Sequence, residues 1–533
     1  MRSVRTTAAL GCLVLALGAC GEGNAGDGGS PGEQQFADGK TFTMALGADP
    51  GSLDPHFTSL SAAALVDRFM YDSLLNSDPD GKEVAGLAET WQGTTTSATY
   101  VLRKGVTCAN GSPLTATVVA DNINFVGNPK NASTRIGVWV PPGATAKGDD
   151  ATGTVTVTSP APASFLVRTV GGLPIVCDKG MKDRGLLKQG GDGTGMFTLT
   201  EVVANDHYTF TRRKEYAWGP GEFKANQPGL PDTVTLKVVT NESTAANLLM
   251  SKQANAAQII GPDRQRLQAA KLFERQVEAP LGELWFNHKN GLPGSDEQVR
   301  RALVQALDLD ELGKVVSSGN GKPATGLVAP GIGPCKQNTV EGNLPGRDVD
   351  AAKAALDAAG WTAGAGGVRA KGGKKLTIVI ALPSSLGSGM QAGVELAQKA
   401  WTEVGAEVTV KPVTDAEVGT AIVGGQLAWD AAFLPLGLPL PSGLVPYLSG
   451  PSAPQGVNFS SIDNADYTVA VTEASAIAGT DGCEKWAAAE KAIFAKVDLV
   501  PFVNSTVPTF GQGAQFEFGD GALVPQSIRM LAG

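Results

Sequence analysis

The sequence contains few of the residues on which most catalytic and metal centres depend. Its 533 residues include 3 histidines and 6 cysteines, and no two cysteines have CxxC spacing. The HExxH pattern of zinc peptidases is absent, and there is no GxSxG nucleophile elbow of the serine-hydrolase kind. His56, His207 and His288 are far apart, and we expect a surface or loop position for each. We therefore expect no catalytic residues, no metal site and no cofactor, and a secreted hydrolase is the disfavoured alternative.

Two further classes of protein are disfavoured by what the chain lacks. No strongly basic run occurs and the net charge is −9, so we expect no nucleic-acid partner. The apolar run at residues 8–17 is shorter than the roughly 20 residues that a membrane-spanning helix needs. With 42% hydrophobic and 18% charged residues, the chain can bury a large core and should divide into two or three domains.

The first 40 residues are typical of an exported protein with a lipid anchor. Two arginines precede the apolar run, and LGAC at residues 17–20 has the form of a lipobox. We expect a signal peptide at residues 1–19, lipidation of Cys20 and a disordered tether at residues 20–40, with folded structure from Thr41. The alternative is an ordinary secretory signal that happens to contain a cysteine.

One stretch, residues 87–121, predicts a strand, a turn and a helix in succession. Apolar and polar residues alternate from Thr99 to Lys104, which is the period of a half-buried strand, and Asn110-Gly111 supplies a turn. Hydroxyl residues up to Thr115 can cap a helix, whose apolar positions then recur at helical spacing. By itself this order indicates only a generic α/β fragment.

The sequence of this stretch resembles the signature of the family 5 bacterial extracellular solute-binding proteins. Other blocks resemble the family in the same order, among them ALGADPGSLDPHF at 45–57, ELWFNHKN at 283–290 and VPFVN at 500–504. The resemblance implies an α/β, two-lobed fold of the periplasmic-binding-protein type II kind, with an inserted extra domain and a hinge of crossing strands. Only a few crossing residues need to change backbone angles for a cleft between such lobes to close.

The resemblance also implies the division of the mature chain into domains. Domain I is expected at residues 41–82, 193–280 and 499–533, the inserted domain II at 83–192 and domain III at 281–498.

Four cysteines remain after the signal peptide and Cys20 are set aside. An even number in an exported protein favours two disulfides, although four cysteines allow three pairings, and a metal site is the alternative. The resemblance implies pairing within domains, which joins Cys108 to Cys177 and Cys335 to Cys483.

The ligand site is expected in the cleft, and one loop there departs from the family pattern. In peptide-binding relatives a carboxylate that follows this strand pairs with the free ammonium of the ligand. Here Asp430 matches the aspartate that opens the strand, but residues 433–440 contain no acid. Either another carboxylate performs that role or the ligand has no free amino terminus, because a buried ammonium needs a compensating charge. The loop either lines a pocket or forms a rigid edge. The expected ligand-binding residues are Gly51, Ser52, Asn287, Phe433, Leu434, Leu436, Leu438, Asn458 and Phe459.

The sequence thus predicts a lipid-anchored binding component of an ABC importer. It would capture a peptide or similar small solute as a monomer on the outer face of the cytoplasmic membrane and deliver it to the permease and its ATPase. A protein for a non-peptide or amino-blocked solute, such as an oligosaccharide or metal chelate, is the alternative, and so is a binding protein without a cognate importer.

Overall fold

Two long antiparallel strands carry the chain between two lobes. Strand β12 (Phe273–Phe286) and strand β20 (Leu499–Gly511) pair along nearly their whole length. These strands are seen in the computed structural model, which describes residues 35–532 apart from 59, 79–80, 189, 222, 332, 415–416 and 454. We call residues 36–272 and 512–532 lobe A, and residues 287–498 lobe B.

Lobe A is a mixture of short helices and mainly antiparallel strands. Its strands are β1 (Thr41–Leu46), β2 (Leu75–Ser77), β3 (Glu83–Ala85), β4 (Ala88–Gly93), β5 (Ser97–Leu102), β6 (Thr145–Asp149), β7 (Thr154–Thr158), β8 (Phe197–Val203), β9 (His207–Arg212), β10 (Thr233–Val238), β11 (Ala256–Gln258), β21 (Ala514–Gln515), β22 (Phe518–Gly519), β23 (Ala522–Leu523) and β24 (Arg529–Met530). Its helices are α1 (Ser61–Met70), α2 (Ala116–Gly127), α3 (Leu166–Gly171), α4 (Asp178–Lys182), α5 (Glu242–Met250) and α6 (Asp263–Ala269).

Lobe B alternates helices and strands. Its strands are β13 (Gly321–Pro323), β14 (Thr362–Ala363), β15 (Arg369–Lys371), β16 (Lys374–Lys375), β17 (Thr377–Pro383), β18 (Glu407–Val413) and β19 (Ala431–Phe433). Its α-helices are α7 (Glu297–Gln305), α8 (Leu309–Val316), α9 (Val349–Ala358), α10 (Gly387–Glu403), α11 (Pro441–Leu448), α12 (Ala465–Ser475) and α13 (Cys483–Ala495), and Val418–Val423 forms a π-helix.

The crossing strands place both lobes on one sheet. Its strand order is β18-β17-β19-β12-β20-β11-β1-β10-β9-β8, and β13 also pairs with β20. Leu284 and Phe286 of β12 belong to one lobe B core, while Trp285 belongs to a second core on the other face. Alternate side chains point to opposite faces of a strand, so this end of β12 is buried on both sides. The position of each lobe therefore depends on the same pair of strands.

The pairing of the crossing strands is irregular at their middle. The register shifts between Pro280 and Gly282 and again between Gly282 and Glu283. A Cβ added to Gly282 would lie 2.2 Å from Cε2 of Phe502, so only glycine fits here. Bulges bend a strand and redirect its side chains, which makes this the natural hinge position.

The segment expected as domain II forms a separate four-stranded sheet of order β4-β5-β7-β6. Its core is nevertheless continuous with that of domain I, because Tyr100 and Val119 belong to the same buried cluster as Phe42 and Phe69. The strand and helix predicted within residues 87–121 are present as β5 and α2, and Thr115 Oγ1 accepts the Val118 backbone N–H at 3.3 Å as the cap of α2.

Both disulfides join the cysteines that the resemblance paired. Cys108 is bonded to Cys177, with Cα atoms 6.1 Å apart, and Cys335 to Cys483, with Cα atoms 5.3 Å apart. One bond lies in the inserted segment and the other in lobe B.

The folded unit begins earlier than the sequence suggested. Phe36 forms a β-bridge with Leu531, and Asp38 Oδ1 accepts the Gly229 N–H at 2.6 Å, so residues 36–40 are part of the fold and the expected tether is too long at this end. The predicted signal peptide and Cys20 lie outside the described residues. No helix in the described chain is long and apolar enough to cross a bilayer.

Gly282→Ala should destabilise the protein by about 1–3 kcal/mol, because the new methyl group overlaps the Phe502 ring at a packed position. The free energy of unfolding in urea measures the loss. Gly47→Ala is the matched control, since a Cβ there has no heavy atom within 4 Å. Equal stability of the two variants would contradict the close approach at the bulge.

Candidate functional site

Lobe A touches lobe B through the residues that precede α3. Ser164 Oγ donates to Ala474 O at 2.7 Å, and Ser164 O accepts the Gly479 N–H at 2.8 Å. Phe165 packs against Trp486 with ring centroids 6.5 Å apart and is buried in a lobe B core. We call Ser164 and Phe165 the latch. Because its partners all belong to lobe B, the latch holds the lobes in a closed arrangement.

A second contact joins Gly137 of lobe A to α11 of lobe B. A Cβ built on Gly137 would lie 3.1 Å from Pro446 Cγ. Burial lowers the pKa of Arg135, while Asp67 and Tyr447 act to raise it. Burial raises the pKa of Tyr447, and Arg135 opposes that shift. An arginine of lobe A and a tyrosine of lobe B therefore lie close enough to interact across the interface.

The loop that follows β1 holds Arg135 in place. Arg135 Nε donates to Pro55 O at 2.9 Å, and Ser133 Oγ donates to His56 O at 2.6 Å. The terminal nitrogens of the Arg135 guanidinium have no hydrogen-bond partner within the described part of the chain. This cation is anchored by one nitrogen and retains donors for another group.

The acid Asp54, near Arg135, is already paired with another arginine. Arg184 Nε donates to Asp54 Oδ2 at 2.9 Å, a second bond joins the same two side chains, and the guanidinium carbon lies 4.4 Å from the centroid of the Phe125 ring. His56 is fully buried but lies in a loop, which is one of the two positions expected for it. Burial, followed by the charge of Arg184, lowers the pKa of His56 to about 3, and the neutral ring donates from Nε2 to Pro174 O at 3.2 Å.

Asp67 on α1 is a buried acid near Arg135. Neither of its carboxyl oxygens has a hydrogen-bond partner among the described residues, and the residue is 3% exposed. Burial raises its pKa well above the usual range, Arg135 opposes the shift and Asp54 adds to it. No sequence pattern pointed to the burial of Asp67, because a single acid on a helix is usually solvated.

On the lobe B side the interface is aromatic. The Phe459 ring centroid lies 4.7 Å from that of Trp285, 6.2 Å from that of Trp429 and 6.5 Å from that of Tyr447. Trp285 is fully buried and Phe459 nearly so, whereas Tyr447 is half-buried. Tyr447 therefore brings the edge of this aromatic cluster to the lobe A side.

Three of the expected ligand-binding residues have roles inside lobe B. Phe433 is fully buried in the core against Phe502, so its side chain is not placed to line an open cleft. Asn287 Nδ2 donates to Trp429 O at 3.0 Å, and its Oδ1 accepts the Lys289 N–H at 3.1 Å.

Asn458 likewise fixes its own loop. Its Nδ2 donates to Ile462 O at 2.8 Å and to Gly450 O at 3.0 Å, and its Oδ1 accepts the Ile462 N–H at 3.0 Å. The amide is 2% exposed, so its hydrogen-bonding groups are already used in this conformation. Asn458 holds the turn that presents Phe459.

Phe459, another expected residue, is nearly buried in the aromatic cluster, and the other five are at least partly accessible. Gly51 and Ser52 are exposed in the loop after β1, and Gly51 adopts φ +66°, which favours glycine. Leu434, Leu436 and Leu438 are half-buried, and Leu438 bridges to Val328. The loop is thus partly accessible, and its role as pocket lining or rigid edge remains a prediction.

A carboxylate lies directly beneath this loop. Glu283 on β12 is 1% exposed, and its Oε2 accepts the Leu436 N–H at 2.8 Å while its backbone O accepts the Leu434 N–H at 3.1 Å. Its Oε1 has no partner in the described chain. Burial raises the pKa of Glu283 to about 8. The expected site residues did not include Glu283, although a single acid within the apolar run PLGELWF is a sequence signal for it.

The family can now be stated from comparison with known proteins. Residues 82–436 match the model of the bacterial extracellular solute-binding proteins, family 5 Middle. The chain belongs to this family. The predicted two-lobed α/β fold and the family resemblance are both confirmed.

Among curated relatives of this family 5 chain, glutathione-binding protein GsiB of Salmonella choleraesuis is 28% identical over 305 residues. That match covers 55% of this chain and 57% of the relative, so the chain spans little more than half the length of the GsiB sequences. Protein XP55 of Streptomyces lividans is 28% identical over 407 residues, which cover 72% of this chain and 68% of XP55.

Solved structures share the fold over almost the whole chain. A substrate binding protein from Microbacterium hydrocarbonoxydans, in complex with 4-hydroxybenzoate hydrazide, has a TM-score of 0.78 and 25% identity and covers 92% of this chain and 100% of its own. The oligopeptide-binding protein AppA from Bacillus subtilis, in complex with a nonapeptide, has a TM-score of 0.79 and 16% identity and covers 94% of this chain and 100% of its own. At that identity AppA shows the fold alone.

Glu283→Gln should make the free energy of unfolding less sensitive to rising pH between about 4.5 and 8. The folded protein keeps the Glu283 proton up to about pH 8, whereas an ordinary glutamate loses it near pH 4.5, so the stability from the neutral acid is present below pH 4.5 and is lost as pH rises to about 8. Glutamine has no such proton to lose. Relative to wild type, the variant should therefore gain about 3 to 5 kcal/mol over this window.

Urea unfolding of both proteins at a series of pH values measures this difference. A constant difference between the two proteins from pH 4.5 to pH 8 would show that Glu283 titrates normally in the fold.

Proposed function

We propose that this chain is the substrate-binding component of an ABC importer. It captures a peptide or similar small solute between the lobes and delivers it to the permease and its ATPase. The observation that carries the proposal is the pair of crossing strands with an irregular middle, combined with lobes that meet at a latch. A hinge and a closing contact are the two parts that capture by domain closure requires.

The chemistry on the two sides of the interface suits a solute with a charged group and an apolar body. Lobe A offers the Arg135 guanidinium, which can bind a carboxylate through its terminal nitrogens. Lobe B offers Tyr447 at the edge of the aromatic cluster and the half-buried leucines 434, 436 and 438. A peptide with an apolar side chain has both features. Gly51 and Ser52 add exposed backbone groups from lobe A.

A non-peptide solute is the second candidate. Two observations favour it: residues 433–440 contain no acid, and the Microbacterium protein of the same fold, 25% identical, is in complex with an aromatic hydrazide. Arg135 and the aromatic cluster would serve such a ligand equally well.

The lipid anchor and the monomeric state of the protein are part of the proposal. We infer that the chain is exported as a monomer and held by lipid on Cys20 at the outer face of the cytoplasmic membrane. The composition of residues 17–40 and the family of extracellular binding proteins support this location. The three-domain division of the mature chain remains a prediction.

Thermal denaturation of the full chain against a panel of solutes tests the function. Glutathione, the dipeptide Met-Leu, 4-hydroxybenzoate hydrazide and nickel–histidine represent the ligands of the relatives and structural neighbours. A ligand that binds only the folded state raises the melting temperature, by an amount that grows with its concentration. A panel extended to peptides, oligosaccharides and metal chelates that leaves the melting temperature unchanged would contradict the proposal.

Phe165→Ala should weaken solute binding indirectly, through closure of the lobes. Removing the ring takes away a buried contact that exists only when the lobes meet, so the closed state becomes less populated and the apparent Kd rises about tenfold or more. Isothermal titration calorimetry with a solute from the panel measures the change. Leu186→Ala, an exposed lobe A residue, is the control. An unchanged Kd for Phe165→Ala would show that the latch does not contribute to closure.

A further inference from the structure

A cavity of about 360 Å³ in lobe B lies against the crossing strand β20. Pro501 and Phe502 of this strand form one wall, and the other walls come from the start of α8, the end of β13 and the segment before α9. The ring of Phe502 also fills the bulge at Gly282, so the cavity lies directly beside the hinge. We call it the hinge cavity. None of its lining residues belongs to the latch, the aromatic cluster or the loop at residues 433–440.

The size of the hinge cavity is suited to a small molecule. Sites for small molecules usually have volumes of roughly 300–1,000 Å³. The hinge cavity falls within this range, whereas cavities of about 60 Å³ beside Glu490 and about 170 Å³ beside Lys399 fall below it. It has room for one compact molecule and not for a peptide of many residues.

The inner surface of the hinge cavity is largely apolar. Leu307 and Phe502 are buried core residues of lobe B, and Val340 and Leu344 are half-buried against its cores. Apolar surface that faces an open space is stabilised when an apolar group displaces the water from it. An occupant of this cavity therefore has an apolar body.

The rim of the hinge cavity carries an arginine without a partner. The three other arginines of lobe B, Arg300, Arg301 and Arg369, each form an ion pair with an acid. The side chain of Arg347 forms neither an ion pair nor a hydrogen bond with any residue that the structure describes. A guanidinium group presents its donors in a planar arrangement that fits a carboxylate. Arg347 is thus available to bind the carboxylate of an occupant.

The acids at the same rim define the other end of the ligand. Asp310 is exposed, and within the described chain its carboxylate also has no partner. Asp308 caps α8, because its Oδ1 accepts the Glu311 N–H at 2.9 Å. A ligand with only a carboxylate would be repelled by these acids, and a ligand with only an ammonium would be repelled by Arg347. A zwitterion presents the correct charge to both.

We propose that the hinge cavity is a second ligand site and that its ligand is a small zwitterion with an apolar body, namely an apolar amino acid such as leucine. The carboxylate of the ligand binds Arg347, its ammonium binds Asp310, and its side chain packs on Leu307 and Phe502. This site is separate from the interface between the lobes, so the inference goes beyond the proposed function and does not depend on it.

Photochemical labelling of the full chain tests the location of the site. An L-leucine analogue with a diazirine in its side chain loses nitrogen on illumination and attaches to the atoms beside it. Peptide mass spectrometry should find the label within residues 307–310, 340–347 or 501–502, and an excess of L-leucine should remove it. Label confined to other segments, or the lack of any label that leucine displaces, would overturn the inference.

Compounds that lack one feature of leucine test the ligand class. Leucinamide lacks the carboxylate, N-acetylleucine lacks the ammonium and glycine lacks the apolar body. Each should compete with the label at least about tenfold more weakly than leucine, because each loses one of the proposed contacts. Equal competition by leucinamide or by N-acetylleucine would contradict recognition of a zwitterion.

Variants at the rim test the two charged contacts. Arg347→Gln and Asp310→Asn should each raise the leucine concentration needed for displacement by about tenfold or more. Both positions are exposed, so the melting temperature of each unliganded variant should match that of the wild type. Lys374→Gln is the control, since Lys374 is exposed in lobe B but does not line the cavity. Displacement from Arg347→Gln at the wild-type concentration would overturn the role of this arginine.

Failure of this inference can be told apart from failure of the proposed function. Arg347→Gln should keep the increase in melting temperature that a solute of the panel produces in the wild type, because the cavity shares no lining residue with the latch or the aromatic cluster. Loss of that increase would show that the cavity is part of the solute site and not a second one. If no leucine label is found while a panel solute still raises the melting temperature, only the second site is wrong.

Discussion

The pairing of β12 with β20 is the constraint on which the rest of the structure depends. Both strands contribute to cores in both lobes. In β20, Phe510 is buried on the lobe A side and Phe502 on the lobe B side. In β12, Phe273 packs on a lobe A core and Leu284 is buried in a lobe B core. A sheet shared in this way fixes each lobe to the other through backbone hydrogen bonds, and only its irregular middle can change angles at low cost. The close packing of Gly282 on Phe502 shows that even this position is tightly filled. Motion of the lobes must therefore bend the paired strands at this position and not separate them.

The two sides of the interface differ in their charged side chains. In lobe A, Asp54 is paired with Arg184, and Arg135 has only one of its nitrogens bound. In lobe B, the side chains near the interface are aromatic or aliphatic, and Glu283 lies below them. The interface therefore combines a partly bonded cation on one side with apolar side chains on the other. This asymmetry would give a solute bound there a direction, which uniform apolar surfaces would not do.

Much of the fold could be predicted from the sequence, and less of the site. The alternation before Asn110 and the cap at Thr115 are local signals, and the structure contains both elements. The pairing of the cysteines followed from family resemblance and not from spacing. Phe433 was expected in the cleft because an apolar residue after a strand suits a pocket as well as a core, and only its packing on Phe502 separates the two. Asn287 and Asn458 were expected to bind ligand for their polarity, yet that polarity is used by neighbouring backbone groups.

Glu283 shows why the support of the loop at residues 434–438 could not be found by reading the loop alone. Glu283 and Leu436 are 153 residues apart in sequence, and three hydrogen bonds join their segments in the fold: Leu436 N–H to the Glu283 carboxyl group, Leu434 N–H to the Glu283 backbone oxygen and Trp285 Nε1–H to Leu434 O. Neither segment contains a local signal for the other, because a bond between a backbone N–H and a distant carboxyl group produces no periodic pattern. Glu283 also follows the irregular pairing at Gly282, so the loop is attached directly beside the position where the crossing strands can bend.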